Sequence, residues 1–244
     1  MIQVKARGLY RATLIATTLL GLLIAGSLRA SEEDLYDFLW LDPDKSVYVL
    51  QNKVYKKKNS FYGSVGYLQG QSSKFQDTSG VKLEAGYFFH EEFAIDLFWS
   101  SYSNSDNDAY KSLATINQSV PFVRRPLSNY AVGVVYAPFY GKINTFNKIF
   151  YFDWSFGLGL GKFETESNAK SVSNPGQANT FNKESYTTIV TKTKLRFHAT
   201  KNFHIDLELL RNNYNAPGAD IPNRATEKSW RNNTDIIIGV GFSF

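Results

Sequence analysis

The chain has 244 residues, no cysteine, 16% aromatic residues and a formal net charge of +5. Without cysteine there can be no disulfide, no thiolate metal ligand and no cysteine-borne lipid anchor. Lys5, Arg7, Arg11 and Arg29 supply four of the 27 basic residues, so residues 31–244 carry 23 basic against 22 acidic side chains and give no basis for nucleic-acid binding.

At the N-terminus, Lys5, Arg7 and Arg11 precede an uncharged apolar run from Ala12 to Leu28. A basic head followed by a hydrophobic segment predicts a secretory signal peptide over 1–30, cut after Ala30 or after Ser27; a retained anchor is the alternative. A lead over 31–59 follows, placed in the periplasm. It holds an acidic piece from Glu32 to Trp40, the apolar stretch Val47 to Tyr55, and Lys56-Lys57-Lys58, read as a solvated edge near lipid headgroups. No later apolar run approaches the roughly 20 residues that a membrane helix needs.

Eight alternating segments then succeed one another: Phe61–Gly70, Gly80–Phe89, Glu92–Tyr102, Asn129–Ala137, Ile149–Gly161, Thr187–Ala199, Asn202–Arg211 and Asn233–Phe244. The fifth is the clearest, with Phe150, Phe152, Trp154, Phe156, Leu158 and Leu160 on one face and Tyr151, Asp153, Ser155 and glycines on the other. The last alternates Ile236, Ile238, Val240 and Phe242 with small residues, Ile237 being the exception, and its Phe244 would be read by the barrel assembly machinery. Periodicity leaves the inward face open, since a lipocalin-like barrel would turn its apolar face in. Connection lengths decide: His90-Glu91 and Thr200-Lys201 are tight turns, whereas Ser103–Ser128, Lys162–Tyr186 and Asn212–Asn232 are long and polar. Short turns on one side and long loops on the other predict an all-β, eight-stranded antiparallel transmembrane barrel over 60–244, in the outer membrane of a Gram-negative envelope. Aromatic belts are expected at both interfaces, with Tyr102, Tyr130 and Trp230 outermost and Phe89, Phe93, Tyr136, Phe203 and Phe244 at the periplasmic edge.

Val47-Tyr48-Val49-Leu50-Gln51-Asn52-Lys53 before the first strand and Tyr136-Ala137-Pro138-Phe139-Tyr140-Gly141-Lys142 after the fourth resemble hallmark segments of the outer-membrane β-barrel domain family common in predatory and gliding deltaproteobacteria. The turn Phe88-Phe89-His90-Glu91 is similar too. The resemblance covers about 45–244, implies fold and location, and carries over no catalytic residue.

Polar residues on the inward face are the candidate site. Lys82, Glu84, Asp96, Asp153, Lys192, Lys194, Arg196, His198, His204, Asp206, Glu208 and Asp235 all fall opposite the lipid face. An eight-stranded interior is just wide enough for side chains, so these charges are expected to pair in the lumen. Taking Lys201 as the centre of its turn pairs His198 with His204, Arg196 with Asp206 and Lys194 with Glu208. Arg124, Arg125, Lys162, Arg211 and Arg231 near the loop ends are candidate contacts for lipopolysaccharide phosphates. The connection Pro138 to Lys148 is too long for a tight turn. Its apolar content marks Gln51, Asn52, Phe139, Tyr140, Gly141 and Lys142 as periplasmic interaction segments for an envelope protein partner. The three histidines near the short turns argue against an enzyme, no cofactor or metal is expected, and a structural or interaction role stands beside a narrow solute channel.

Overall fold

The structure, a computed structural model, describes residues 53–244 apart from 118, 146–147, 173–178 and 220–226. The signal peptide, most of the lead, and Gln51 and Asn52 lie outside the described residues. Eight strands run in chain order: β1 (Ser60–Gly70), β2 (Gln76–Phe88), β3 (Phe93–Asp106), β4 (Arg124–Thr145), β5 (Lys148–Ser167), β6 (Asn182–His198), β7 (Phe203–Pro217) and β8 (Lys228–Ser243). Each pairs antiparallel with its sequence neighbour, and β1 pairs β8, closing the barrel. Asn59, at φ 61°, turns the chain into β1, a left-handed position that asparagine tolerates.

The alternation is read out as two surfaces. Outward stand Val65, Tyr67, Leu83, Ile95, Leu97, Trp99, Val132, Val134, Leu158, Leu160, Ile205, Leu207, Ile238 and Val240, all exposed. Inward stand the lysines, arginine and carboxylates, buried. A water-soluble barrel has the opposite arrangement, because exposing this much contiguous apolar surface to water is unfavourable. At the loop-side end the apolar outward face of each strand gives way to a polar residue: Gln69, Ser79, Ser101, Ser128, Lys162, Thr187, Arg211 and Thr234. A ring of aromatic contacts edges the short-turn end: Phe61 stacks near Phe244 at 6.0 Å, Phe93 on Tyr136 at 4.9 Å, and Phe203 meets Phe242 at 5.1 Å. Within the belt the Trp154 indole N–H donates to Thr193 Oγ1 at 2.7 Å, so its one polar group is satisfied without water.

Three expectations need correction. Tyr102 is buried in the bore, its hydroxyl donating to Asp235 Oδ2 at 2.8 Å, because it shares parity with Ala94, Asp96, Phe98 and Ser100. Pro138 to Thr145 is no loop: a register shift between Tyr136 and Phe139 passes Pro138, and pairing resumes from Phe139↔Trp154 to Thr145↔Lys148. The long polar connections are also shorter than they read, since the strands continue to Arg124↔Ser167, Ser167↔Asn182 and Pro217↔Lys228. Most residues on both faces of those extensions are polar, with Phe163, Tyr186 and Tyr214 as exceptions, so the alternation fades there. Between β3 and β4 lies α1 (Asp108–Asn117), whose Tyr110 N–H is capped by Asn107 Oδ1 at 3.0 Å; α2 (Ala169–Val172) is a single turn after β5.

Candidate functional site: the filled bore

Register places the charged side chains opposite one another. The turn after β6 is set by Thr200, whose Oγ1 accepts the Phe203 N–H at 3.0 Å, and His198↔His204, Arg196↔Asp206 and Lys194↔Glu208 are directly facing pairs. Arg196 Nε donates to Asp206 Oδ1 at 3.1 Å and Nη2 to Oδ2 at 3.4 Å. Lys194 lies 3.1 Å from Glu208 Oε2 and also contacts Glu84. Lys82 bridges Glu84 and Glu208, and Lys192 joins Asp96 to Glu84. Glu84 is thus the hub, contacted by three ammonium groups from two sides of the barrel. The ring of Tyr62 lies 4.5 Å under the Arg196 guanidinium, and its hydroxyl faces Asp96 Oδ2 at 3.4 Å.

Space for these long side chains comes from small residues opposite them. A Cβ on Gly86 would lie 2.4 Å from the Tyr62 ring, and one on Gly157 would lie 2.6 Å from Lys192 Cε. Gly157 of β5 is therefore what lets Lys192 cross the bore. The void left beside Tyr62, Glu84, Lys192, Lys194 and Arg196 is about 10 Å³, at most one water's worth.

At the short-turn end the network is capped from outside the strands. Lys57, the middle of the lysine run read as solvated, is buried, and its Nζ donates to Asp153 Oδ1 at 2.6 Å. Asp153 Oδ2 lies 2.7 Å from His198 Nε2, and Tyr55 stacks on the His198 ring at 4.5 Å. Glu91 anchors this segment by accepting the backbone N–H groups of Lys57 and Lys58, both at 3.1 Å. Burial pulls the Lys57 ammonium below the usual lysine range, with Asp153 opposing the shift. Lys56 and Lys58 remain exposed, so only the parity of Tyr55 and Lys57 could have signalled this cap. Val54 N–H donates to the Tyr140 hydroxyl at 3.2 Å, while Phe139 and Lys142 are exposed and Gly141 is half-buried.

Toward the loops, charge gives way to an apolar collar: Leu68, Phe98, Tyr102, Phe163, Val190, Leu210, Tyr214 and Ile237, packed across the bore. Sequence reasoning missed this layer, although Ile237 interrupts the polar face of β8. Above it Asn129 Nδ2 donates to Asn212 Oδ1 at 2.8 Å.

The loop-end cations divide. Lys162 and Arg211 project from the outer wall at the top of the belt. Arg124 turns inward instead, its Nε donating to Glu184 Oε2 at 3.0 Å and its side chain 6% exposed. Arg125 is held by Asp106 at 2.6 Å and lies 3.9 Å over the Phe181 ring, and Arg231 faces the ring of Phe122. Inward parity at strand extensions explains why Arg124 and Arg231 do not reach the outer wall. Among the described residues no cluster of three His, Asp or Glu side chains is arranged to hold a metal.

No protein-family model matches the chain, and no curated protein does. Among solved structures, the N-terminal β-barrel domain of OprF from Pseudomonas aeruginosa is 13% identical over 77% of this chain and 98% of its own, with a TM-score of 0.42. OprG, an outer membrane protein of Pseudomonas aeruginosa, is 11% identical over 78% and 98%, with a TM-score of 0.44. Ail, the attachment invasion locus protein of Yersinia pestis, is 16% identical over 77% and 99%, with a TM-score of 0.39. Likeness at this level bears on no residue's role.

Proposed function

We propose that this chain is an outer-membrane barrel with a closed bore, acting through its two ends in a structural or interaction role. The single observation that carries this reading is the filling of the bore: a charge network with a void of about 10 Å³, overlaid by an apolar collar. The exposed apolar belt supports placement in lipid, where every strand's backbone must find its partners within a closed ring. The outer membrane is the site of such barrels, and the basic, apolar N-terminal segment supports export there.

Lys162 and Arg211, at the top of the belt, suit the phosphates of lipopolysaccharide, and the strand extension from Phe139 to Lys142 suits an envelope partner at the other end. The segment from Tyr136 to Lys142, similar to a hallmark of the deltaproteobacterial barrel family, points to the same class of envelope protein. The bore's carboxylate–His pairs serve closure rather than catalysis, since Asp153 is engaged by Lys57 and Asp206 by Arg196.

Planar-bilayer recording of the refolded chain tests this reading. The expected result is a silent bilayer at neutral pH. Regular single-channel steps would overturn the closed bore and favour a narrow solute channel.

A further inference from the structure

Above the collar, at the loop end, lies a hollow of about 320 Å³. Tyr214 and Asn233 contribute to its lining from the barrel wall, and Arg124, Arg231 and Lys74 line it with positive charge. None of its lining residues among those described is acidic. The Phe122 ring is near both guanidinium groups, its centroid 5.3 Å from Arg124 Cζ and 5.9 Å from Arg231 Cζ. Arg124 Nε and Nη2 are engaged by Glu184 and the Pro217 carbonyl, both at 3.0 Å, while its buried Nη1 has no partner among the described residues. Arg231 Nε is buried and likewise without a partner there.

Buried guanidinium N–H groups left without acceptors are unfavourable, and the acceptor best matched to two of them is an oxyanion. The hollow, about 320 Å³, is too large for that group alone, since one water takes up about 30 Å³ and a tetrahedral oxyanion only a few times that. Its remaining lining, Ser72, Asn232 and aromatic rings, matches a hydroxylated ring. We propose that the hollow binds a small sugar bearing a phosphate-type oxyanion, with the anionic group between Arg124 and Arg231. The inference goes beyond the closed-bore reading and does not require it, because the hollow's charge and unpaired donors are present whether or not the collar below conducts.

The test is calorimetric titration of the whole barrel, refolded in lipopolysaccharide-free detergent micelles, with glucose 6-phosphate, inorganic phosphate and glucose. Glucose 6-phosphate is expected to bind once per chain, inorganic phosphate more weakly, and glucose not at all. Arg231→Gln should weaken glucose 6-phosphate by at least about tenfold, the loss of one charge-assisted hydrogen bond. Arg124→Gln should abolish binding; because Arg124 also holds Glu184, the retained fold is checked by heat-modified gel mobility. Displacement of glucose 6-phosphate by added lipopolysaccharide would assign the sugar phosphate to a glycolipid head, and binding insensitive to it would assign a free ligand. Silence toward both glucose 6-phosphate and inorganic phosphate at millimolar concentration, or affinity that Arg231→Gln leaves unchanged, overturns the site.

Discussion

Along β6 the inward residues pass from Arg196, Lys194 and Lys192 to Val190, and along β7 from Asp206 and Glu208 to Leu210. The two halves of the bore are equally buried, yet they are held by different physics. In the charged half each ion is tolerable only because its partners are present, so stability depends on completeness. In the collar the Tyr102–Asp235 hydrogen bond is the exception among rings and aliphatic chains, and stability depends mainly on volume filled. A lesion in the first half should therefore propagate to its neighbours, whereas one in the second should stay local.

Substitutions can break or sharpen that contrast. Glu84→Gln removes the hub and leaves Lys82, Lys192 and Lys194 under-compensated, with an expected loss of about 3–5 kcal/mol in urea unfolding from lipid vesicles. A loss under about 1 kcal/mol, the scale of an exposed pair, would mean that the network is hydrated. Leu210→Ala in the collar should lose about 2–4 kcal/mol through the cavity it leaves, and the lumenal lysines should keep their exchange behaviour.

A double-mutant cycle comes next in size. Arg196→Met alone should destabilise more than Arg196→Met with Asp206→Leu, with a coupling of roughly 1–3 kcal/mol, whereas Leu210→Ala and Arg196→Met should be nearly additive. Absence of coupling across the facing pair would remove the distinction between the halves. The smallest effect concerns the cap. Burial lowers the Lys57 ammonium, so the unfolded chain binds more protons than the folded one between the lowered value and 10.5, and stability should rise with pH across that window. Lys57→Met should flatten this alkaline rise in the same unfolding assay; an unchanged slope would place the titration elsewhere.

How much of this was legible depended on contrast between faces. In the charged half the outward residues are apolar and the inward ones ionised, so parity alone assigned Asp153, Lys194, Arg196, Asp206 and Glu208, and the turn at Thr200-Lys201 fixed their pairing. At the collar both faces are apolar, as Tyr67-Leu68, Ile189-Val190, Leu209-Leu210 and Ile236-Ile237-Ile238 show, and the period vanishes. Beyond the belt both faces are mostly polar, and Arg124 could not be told from a loop cation. Pro138 concealed the extension of β4 because a register shift, invisible in composition, carries it past the ladder. Lys57 was hidden by company: a run of three lysines looks uniformly wet, although only its outer two are.

The collar also makes the two ends of the bore chemically unlike. Rings and aliphatic chains from Leu68 to Ile237 lie between the ionised half and the loop end, interrupted by Tyr102, Asp235 and Asn233, which are joined to one another at 2.8 Å. At the opposite end the network is reached past Tyr55, through Lys57, Asp153 and His198. The two faces of the membrane therefore address the network through different chemistry, a carboxylate–phenol pair set among apolar rings on one side and a lysine–carboxylate–imidazole cap on the other.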